Sequence, residues 1–139
     1  MRDISGHLWS VQTIDDNGKK LFLTGGRKKE CFHALGNIQL NSLIYLCEGY
    51  STGATIHEAT ENPVIICFDA GNLEAVAIAI KAKYPTANII ICADNDQFSD
   101  VNTGIIKATQ AANAIGAKIA IPQFTNLEKK PSDFNDLHV

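Results

Sequence analysis

Two rhythms of apolar and polar residues divide the chain near Leu43. Before it, His7 to Ile14 alternates weakly, Asp15-Asp16-Asn17-Gly18 is a strong turn signal, and Lys20 to Leu23 answers as a second strand. Cys31 to Leu35 is a candidate third strand, followed by a turn at Gly36-Asn37. The pattern predicts a small antiparallel β unit over residues 7–36. From Leu43 onward the strands are near-continuous apolar runs, at Leu43–Cys47, Val64–Phe68, Asn88–Ala93 and Lys118–Ile121. Helices are predicted between them. The first runs from a Ser51 or Thr52 cap to about Glu61. The second runs from an Asn72 cap over Leu73 to about Lys83, with Val76, Ile80 and the alanines as its apolar face. The third is Val101–Ile115, stopped by Gly116 in a left-handed turn. Apolar strands alternating with helices indicate a parallel sheet covered on both faces. The expected fold class is therefore α/β: a compact, Rossmann-like parallel sheet flanked by helices, with the antiparallel unit in front. The core spans 43–122, and a polar tail, 123–139, ends in Asp133-Phe134-Asn135-Asp136.

Length supports one domain over 1–139, large enough for a real core. With 45% hydrophobic and 19% charged residues, the chain is not of a disordered class. No run reaches the roughly 18 apolar residues of a membrane span. The start, MRDISGHLWS, has no apolar signal-type segment. A cytoplasmic location without a membrane partner is the expectation. Cys31, Cys47, Cys67 and Cys92 are scattered, three of them inside apolar strand patterns, and read as buried reduced thiols rather than a zinc site. His7, His33, His57 and His138 show no ligand spacing. Net charge is −3, which argues against a basic nucleic-acid module as a whole. Its distribution is uneven: residues 1–47 carry +2 and residues 48–139 carry −5. Such a chain suits a polyanion in front and cations behind, although a net of +2 is also compatible with chance.

The acidic residues carry the candidate chemistry. Glu48 leaves the apolar run Leu43–Cys47 and precedes Gly49, which permits close approach of a ligand or backbone. A Glu leaving a buried strand must be solvated, paired or metal-bound. Asp94 and Asp96 follow the strand Asn88–Ala93. On extended backbone, residues i and i+2 point the same way, roughly 6–7 Å apart. Both can reach one Mg²⁺ directly or through its waters, or two ions sharing a phosphate. The alternative is an Asx-rich turn. Glu48 lies 46 residues before Asp94, one strand–helix–strand–helix interval, so the two strand ends can be neighbours at the sheet edge where ligands bind. Asp69 also ends a strand and reads more readily as a turn residue. Asp133 and Asp136 flank Phe134 and Asn135, and docking of Phe134 would return them to the sheet edge. The loop Thr24–Lys29, with two glycines and Arg27, Lys28 and Lys29, suits phosphates, or is an ordinary hairpin loop. No P-loop, Ser/His/Asp arrangement or GxGxxG after a strand is legible.

Glu-Gly after one strand and Asp-x-Asp after a later one resemble the Toprim domain shared by topoisomerases and bacterial-type primases. LCEGYSTGATIHEAT, DAGNLEAVAIAI, IIICADNDQ, NTGIIKATQAA, IPQF and DFNDL, in this order, resemble more closely the Toprim segment of primases and primase–helicases of phages and conjugative plasmids. The upstream LWSVQTIDDNGKKLFLTGG and CFHALG are also similar, so the resemblance covers about residues 7–137. It implies a compact Toprim fold and Mg²⁺-dependent nucleotidyl transfer, with Mn²⁺ able to substitute, making a short primer on single-stranded DNA from nucleoside triphosphates. A helicase domain or protein is an implied partner. Glu48 is then the general acid/base or metal-organising group, and Asp94 and Asp96 bind Mg²⁺. Replicative primases commonly carry a further Asp two residues beyond Glu-Gly. Here Gly49-Tyr50-Ser51-Thr52 holds no acid, which leaves Asp69, Asp133 and Asp136 as candidate substitutes. Gly49, Asn72 and Asn95 become nucleotide contacts or supports of the metal ligands, and Arg27, Lys28 and Lys29 grip template or triphosphate. Two other readings stay open: a non-catalytic Toprim-like module that binds nucleic acid or a partner, and a nuclease of the same superfamily. A phospho-acceptor receiver fits less well, because it needs its acidic pair after the first strand.

Overall fold

The computed structural model describes residues 1–137; His138 lies outside them. Its elements are β1 (Gln12–Ile14), β2 (Lys20–Phe22), β3 (His33–Leu35), β4 (Leu43–Cys47), α1 (Tyr50–Thr60), β5 (Val64–Ile66), α2 (Leu73–Lys83), β6 (Asn88–Cys92), α3 (Thr103–Ile115) and β7 (Lys118–Ala120). Short 3₁₀ turns occupy Ala70–Asn72 and Phe134–Leu137. β1 and β2 form a separate antiparallel hairpin, and the other five strands form one sheet in the order β3-β5-β4-β6-β7. The four strands β5, β4, β6 and β7 run parallel, as their apolar runs predict.

The third short strand departs from expectation. β3 does not extend the hairpin but pairs antiparallel with β5, His33 opposite Ile66 and Leu35 opposite Val64. The sheet is therefore mixed. An unpaired edge on β5 would expose a row of backbone donors and acceptors, and β3 covers it.

Period-2 alternation splits the core. Ile44, Leu46, Ile65, Ile89 and Ile91 point to the face covered by α2 and α3, where they meet Leu73, Val76, Ile80, Ala108 and Ala111. Cys47, Val64, Ile66 and Cys92 point to the other face, against Ile56 of α1, with Phe134 packed on the cluster. Gly53 lets α1 approach closely. A Cβ there would stand 2.6 Å from Ile66 Cγ1 and 3.0 Å from Cys47 Sγ. All four cysteines are free and buried. No described helix is long and apolar enough to cross a membrane.

The order of the parallel strands positions the site. The chain leaves β4 toward one edge, through α1 to β5, and leaves β6 toward the other, through α3 to β7. β4 and β6 are neighbours, with Leu46 paired to Ile91, so Glu48 and Asp94 emerge side by side where the strand order reverses.

Candidate metal centre

Glu48 follows β4 directly, and its carbonyl accepts the Phe68 N–H at 2.8 Å. Phe68, expected within a strand, has φ 71, a left-handed backbone that is rare for a bulky residue. This bend ends β5 at Ile66 and turns the chain into Asp69, which starts the 3₁₀ turn Ala70–Asn72. The turn expected at Asp69 is present, and the carboxylate is still close enough to raise the Glu48 pKa.

Asp94 and Asp96 leave β6 and are held by the start of α3. That helix begins at Thr103, two residues later than the apolar pattern suggests, because Asn102 caps it. The Asn102 Oδ1 accepts the N–H groups of Asp96 (3.0 Å) and Ile105 (3.3 Å), and its Nδ2 donates to Asn95 Oδ1 (2.9 Å). The Gly104 N–H donates to Asp96 Oδ2 at 2.9 Å. Gly104 has to be glycine for this contact, since a Cβ would stand 2.3 Å from the Asp94 carbonyl oxygen. Asn95 also donates its N–H to the Ser132 carbonyl (2.6 Å), and its Nδ2 lies 3.4 Å from the Pro122 carbonyl. Its side chain braces the loop.

The tail returns to the sheet. Phe134 packs on the apolar cluster beneath α1, Thr52 Oγ1 donates to Asp133 Oδ2 at 2.8 Å, and Thr55 Oγ1 donates to Asn135 Oδ1 at 2.9 Å. Thr52, expected as a helix cap, is instead buried within the first turn, and Gly49 stands at the cap position without a side-chain bond. Asp136 is exposed. It accepts the Ser132 and Asp133 N–H groups and lines a separate cleft of about 350 Å³ with Asn126 and Lys129.

Burial is the first cause of perturbed titration here. It pushes the Asp94 pKa up to about 7, with the charges of Glu48, Asp133 and Asp96 adding and Lys20 opposing. Glu48 is also raised, by burial first and then by Asp96 and Asp69, with Lys20 and a bond from the Ala70 backbone opposing. Glu48, Asp94, Asp96, Asp69 and Asp133 thus form one interacting set, from which Asp136 is absent. Asp94 Oδ1 is a buried oxygen with no hydrogen-bond partner. Among the described residues no three His, Cys, Asp or Glu side chains are closed on a ready-made metal cage. The gathered charges and the unpartnered Asp94 oxygen fit Mg²⁺, a hard cation that prefers oxygen, keeps several waters and takes one or two carboxylates plus substrate phosphates. Asp94 Oδ1 is the oxygen left without a protein partner for such an ion.

The three cations of the basic loop have different surroundings. Arg27 is held by Glu30 (2.6 Å) and lies 5.1 Å from the Trp9 ring centre. Lys28 Nζ is 4.5 Å from the Phe22 ring centre, and Phe22 meets Phe68 edge-on at 6.3 Å. Lys28 therefore stands over the residues that shape the site, and Lys29 is exposed. Lys20 on β2 was not singled out by any motif. Its Nζ comes within 3.8 Å of the Cβ position at Gly49, and its charge acts on both Glu48 and Asp94. No local pattern could have found it, because the hairpin's docking brings it there. Asn72 heads α2 but makes no cap bond. Its Oδ1 accepts the Glu30 N–H (2.7 Å), and its Nδ2 faces the carbonyls of Cys31 (2.8 Å), Cys67 (2.9 Å) and Lys28 (3.2 Å). It clamps the end of the basic loop to the end of β5.

The sequence profile of the Toprim domain matches residues 43–139. The chain belongs to the Toprim family. Within that family it is similar to two proteins of Escherichia coli, each named DNA primase TraC. One is 38% identical over 129 residues, covering 88% of this chain and 12% of the relative. The other is 37% identical over 133 residues, covering 91% and 9%. The chain thus spans about a tenth of the length of these relatives, and its Toprim domain is of the primase type. A solved chain from the bacteriophage T7 lagging-strand DNA polymerase interacting with primase domains of two gp4 subunits, bound to an RNA/DNA hybrid and dTTP, has the same fold. Its TM-score is 0.59 at 18% identity, over 99% of this chain and 67% of that one.

Proposed function

We propose that this Toprim domain performs Mg²⁺-dependent nucleotidyl transfer in the cytoplasm, joining nucleoside triphosphates into a short primer on a single-stranded DNA template. The observation that carries this reading is the unpartnered, buried Asp94 Oδ1 beside Glu48 and Asp96 at the reversal of strand order. Asp94 and Asp96 hold the cation, with Mn²⁺ an acceptable substitute. An ion held there would supply Lewis acidity to the attacking 3′-hydroxyl and positive charge to offset that of the departing pyrophosphate. Glu48, whose pKa burial raises, would take or return a proton at the reacting hydroxyl and help position the cation. Lys20 and Lys28 stand where a triphosphate or template backbone would approach the acids, while Arg27 and Asn72 shape that approach. A helicase, as a domain or a separate protein, is the proposed partner.

The test is primer synthesis by this chain on single-stranded DNA with Mg²⁺ or Mn²⁺. Glu48→Gln and Asp94→Asn each reduce it by at least about 100-fold; activity retained in either variant removes the role assigned to that residue. A second reading is a non-catalytic nucleic-acid- or partner-binding module. The lack of an acid over Gly49–Thr52 and, among the described residues, of a closed three-ligand cage favours it. Calorimetric titration separates the two, since that module takes up no Mg²⁺ at Asp94.

A further inference from the structure

Thr52 is one of three buried polar or charged residues among those described, with 1% of its surface exposed. A buried hydroxyl needs a partner, and a helical Thr ordinarily bonds the carbonyl one turn back. Thr60 does so, to Ile56 at 2.7 Å. Thr52 instead donates to a carboxylate 81 residues away, Asp133 Oδ2. The other oxygen, Oδ1, accepts the N–H groups of Asn135 (2.8 Å) and Asp136 (3.1 Å), so the carboxylate is oriented from both sides. Thr55–Asn135 and Phe134 fix the turn to α1, and the Asn95–Ser132 bond fixes its start to the Asp94–Asp96 loop.

We infer that Thr52 is a positioning residue, holding the Asp133 carboxylate of the C-terminal turn toward the cation's water shell at Asp94. The inference rests on the metal-dependent reading above. Its physical basis is a conflict that the fold accepts. To start a 3₁₀ turn, Asn or Ser would serve as well as Asp. Asp adds a negative charge to a turn whose preceding residue, Ser132, accepts the N–H of Asn95 at 2.6 Å, between Asp94 and Asp96. In the metal-free protein that charge only destabilises. With a cation present it becomes attraction, and the Thr52 bond keeps the carboxylate from swinging away. Oδ1 already accepts two N–H groups, so Oδ2, which accepts only the Thr52 hydroxyl, is the oxygen with a lone pair left for metal-bound water.

The experiment uses the full chain and no nucleotide. Mn²⁺ affinity is read from the free-ion EPR signal for the native chain, Thr52→Val, Thr52→Ser, Asp133→Asn and the Thr52→Val/Asp133→Asn pair, with circular dichroism confirming each fold. Valine matches threonine in shape and lacks only the donor. We expect Thr52→Val and Asp133→Asn each to weaken binding by about 10-fold or more. Thr52→Ser, which keeps the hydroxyl, stays within about twofold of the native chain. The double variant binds like Asp133→Asn alone, because Thr52 acts through Asp133. Native-like affinity in Thr52→Val, or additive losses in the pair, overturns the inference and leaves the metal site standing. A native chain that binds no Mn²⁺ removes both this role and the metal-dependent function.

Discussion

Replacing Asp94 by Asn removes a charge that the folded chain holds at a cost. The carboxyl titrates at about 7 in the fold against 3.8 for the ordinary group. Each unit of difference is worth about 1.4 kcal/mol, so the ionised form costs at most about 4 kcal/mol above pH 7. Between pH 4 and 7 the folded chain keeps a proton that the unfolded chain has released. Stability from this group is therefore full below about pH 4 and is lost as pH rises through 7. The amide in Asp94→Asn cannot ionise, so its contribution is flat. In EDTA, the stability difference between Asp94→Asn and the native chain should grow from near zero at pH 4.5 to about 2–4 kcal/mol at pH 8. Comparing the two proteins at each pH cancels most other titrating groups. Urea denaturation at five pH values measures it directly. Adding Mg²⁺ at pH 8 should close the gap or reverse the order: the native chain gains about 4.1 kcal/mol when the ion stands at about 1,000 times its dissociation constant, and the variant gains little. A variant less stable than the native chain at pH 8 in EDTA, or a difference that does not change with pH, refutes the account of Asp94.

Gly53→Ala drives a methyl into Ile66 and Cys47, costing about 1–3 kcal/mol, measured by urea denaturation. The shift also loosens α1 behind Glu48, so Mn²⁺ affinity in the same variant falls. Asn72→Ala leaves the Glu30 N–H and the Cys31 and Cys67 carbonyls without their shared partner, at about 2–4 kcal/mol. Its signature in hydrogen exchange is lost protection at residues 28–31, with β4 and β6 unchanged.

The strand ends were legible because parallel strands buried on both faces leave near-continuous apolar runs, and the first polar residue after each run is an edge residue. That logic puts Glu48, Asp94 and Asp96 at one sheet edge, and β4 and β6 are indeed neighbours. It could not place β3, a three-residue strand whose partner is set by the bare edge of β5. The cap rule misread Thr52, and for Asn72 it found the N-cap position but not the bonds that the side chain makes. Both are small polar residues near helix starts, but each is buried, and a buried side chain answers to whichever polar group the tertiary fold presents. Asp133 returned because Phe134 docks, an outcome foreshadowed by an aromatic residue set between the polar residues of the DFND segment. The convergence of Lys20 has no trace in local pattern, since it depends on the angle at which a hairpin meets the sheet.

The central claim is that acids from separate strand ends share one cation. Paramagnetic broadening of amide resonances by substoichiometric Mn²⁺ tests it most directly. The account predicts that signals of Glu48, Gly49, Asp94, Asn95 and Asp96 vanish first and together, with Asp133 close behind, and that Mg²⁺ restores them. Broadening centred on another acidic patch, such as Asp15-Asp16, or on Glu48 and Asp94 at widely different Mn²⁺ levels, contradicts it.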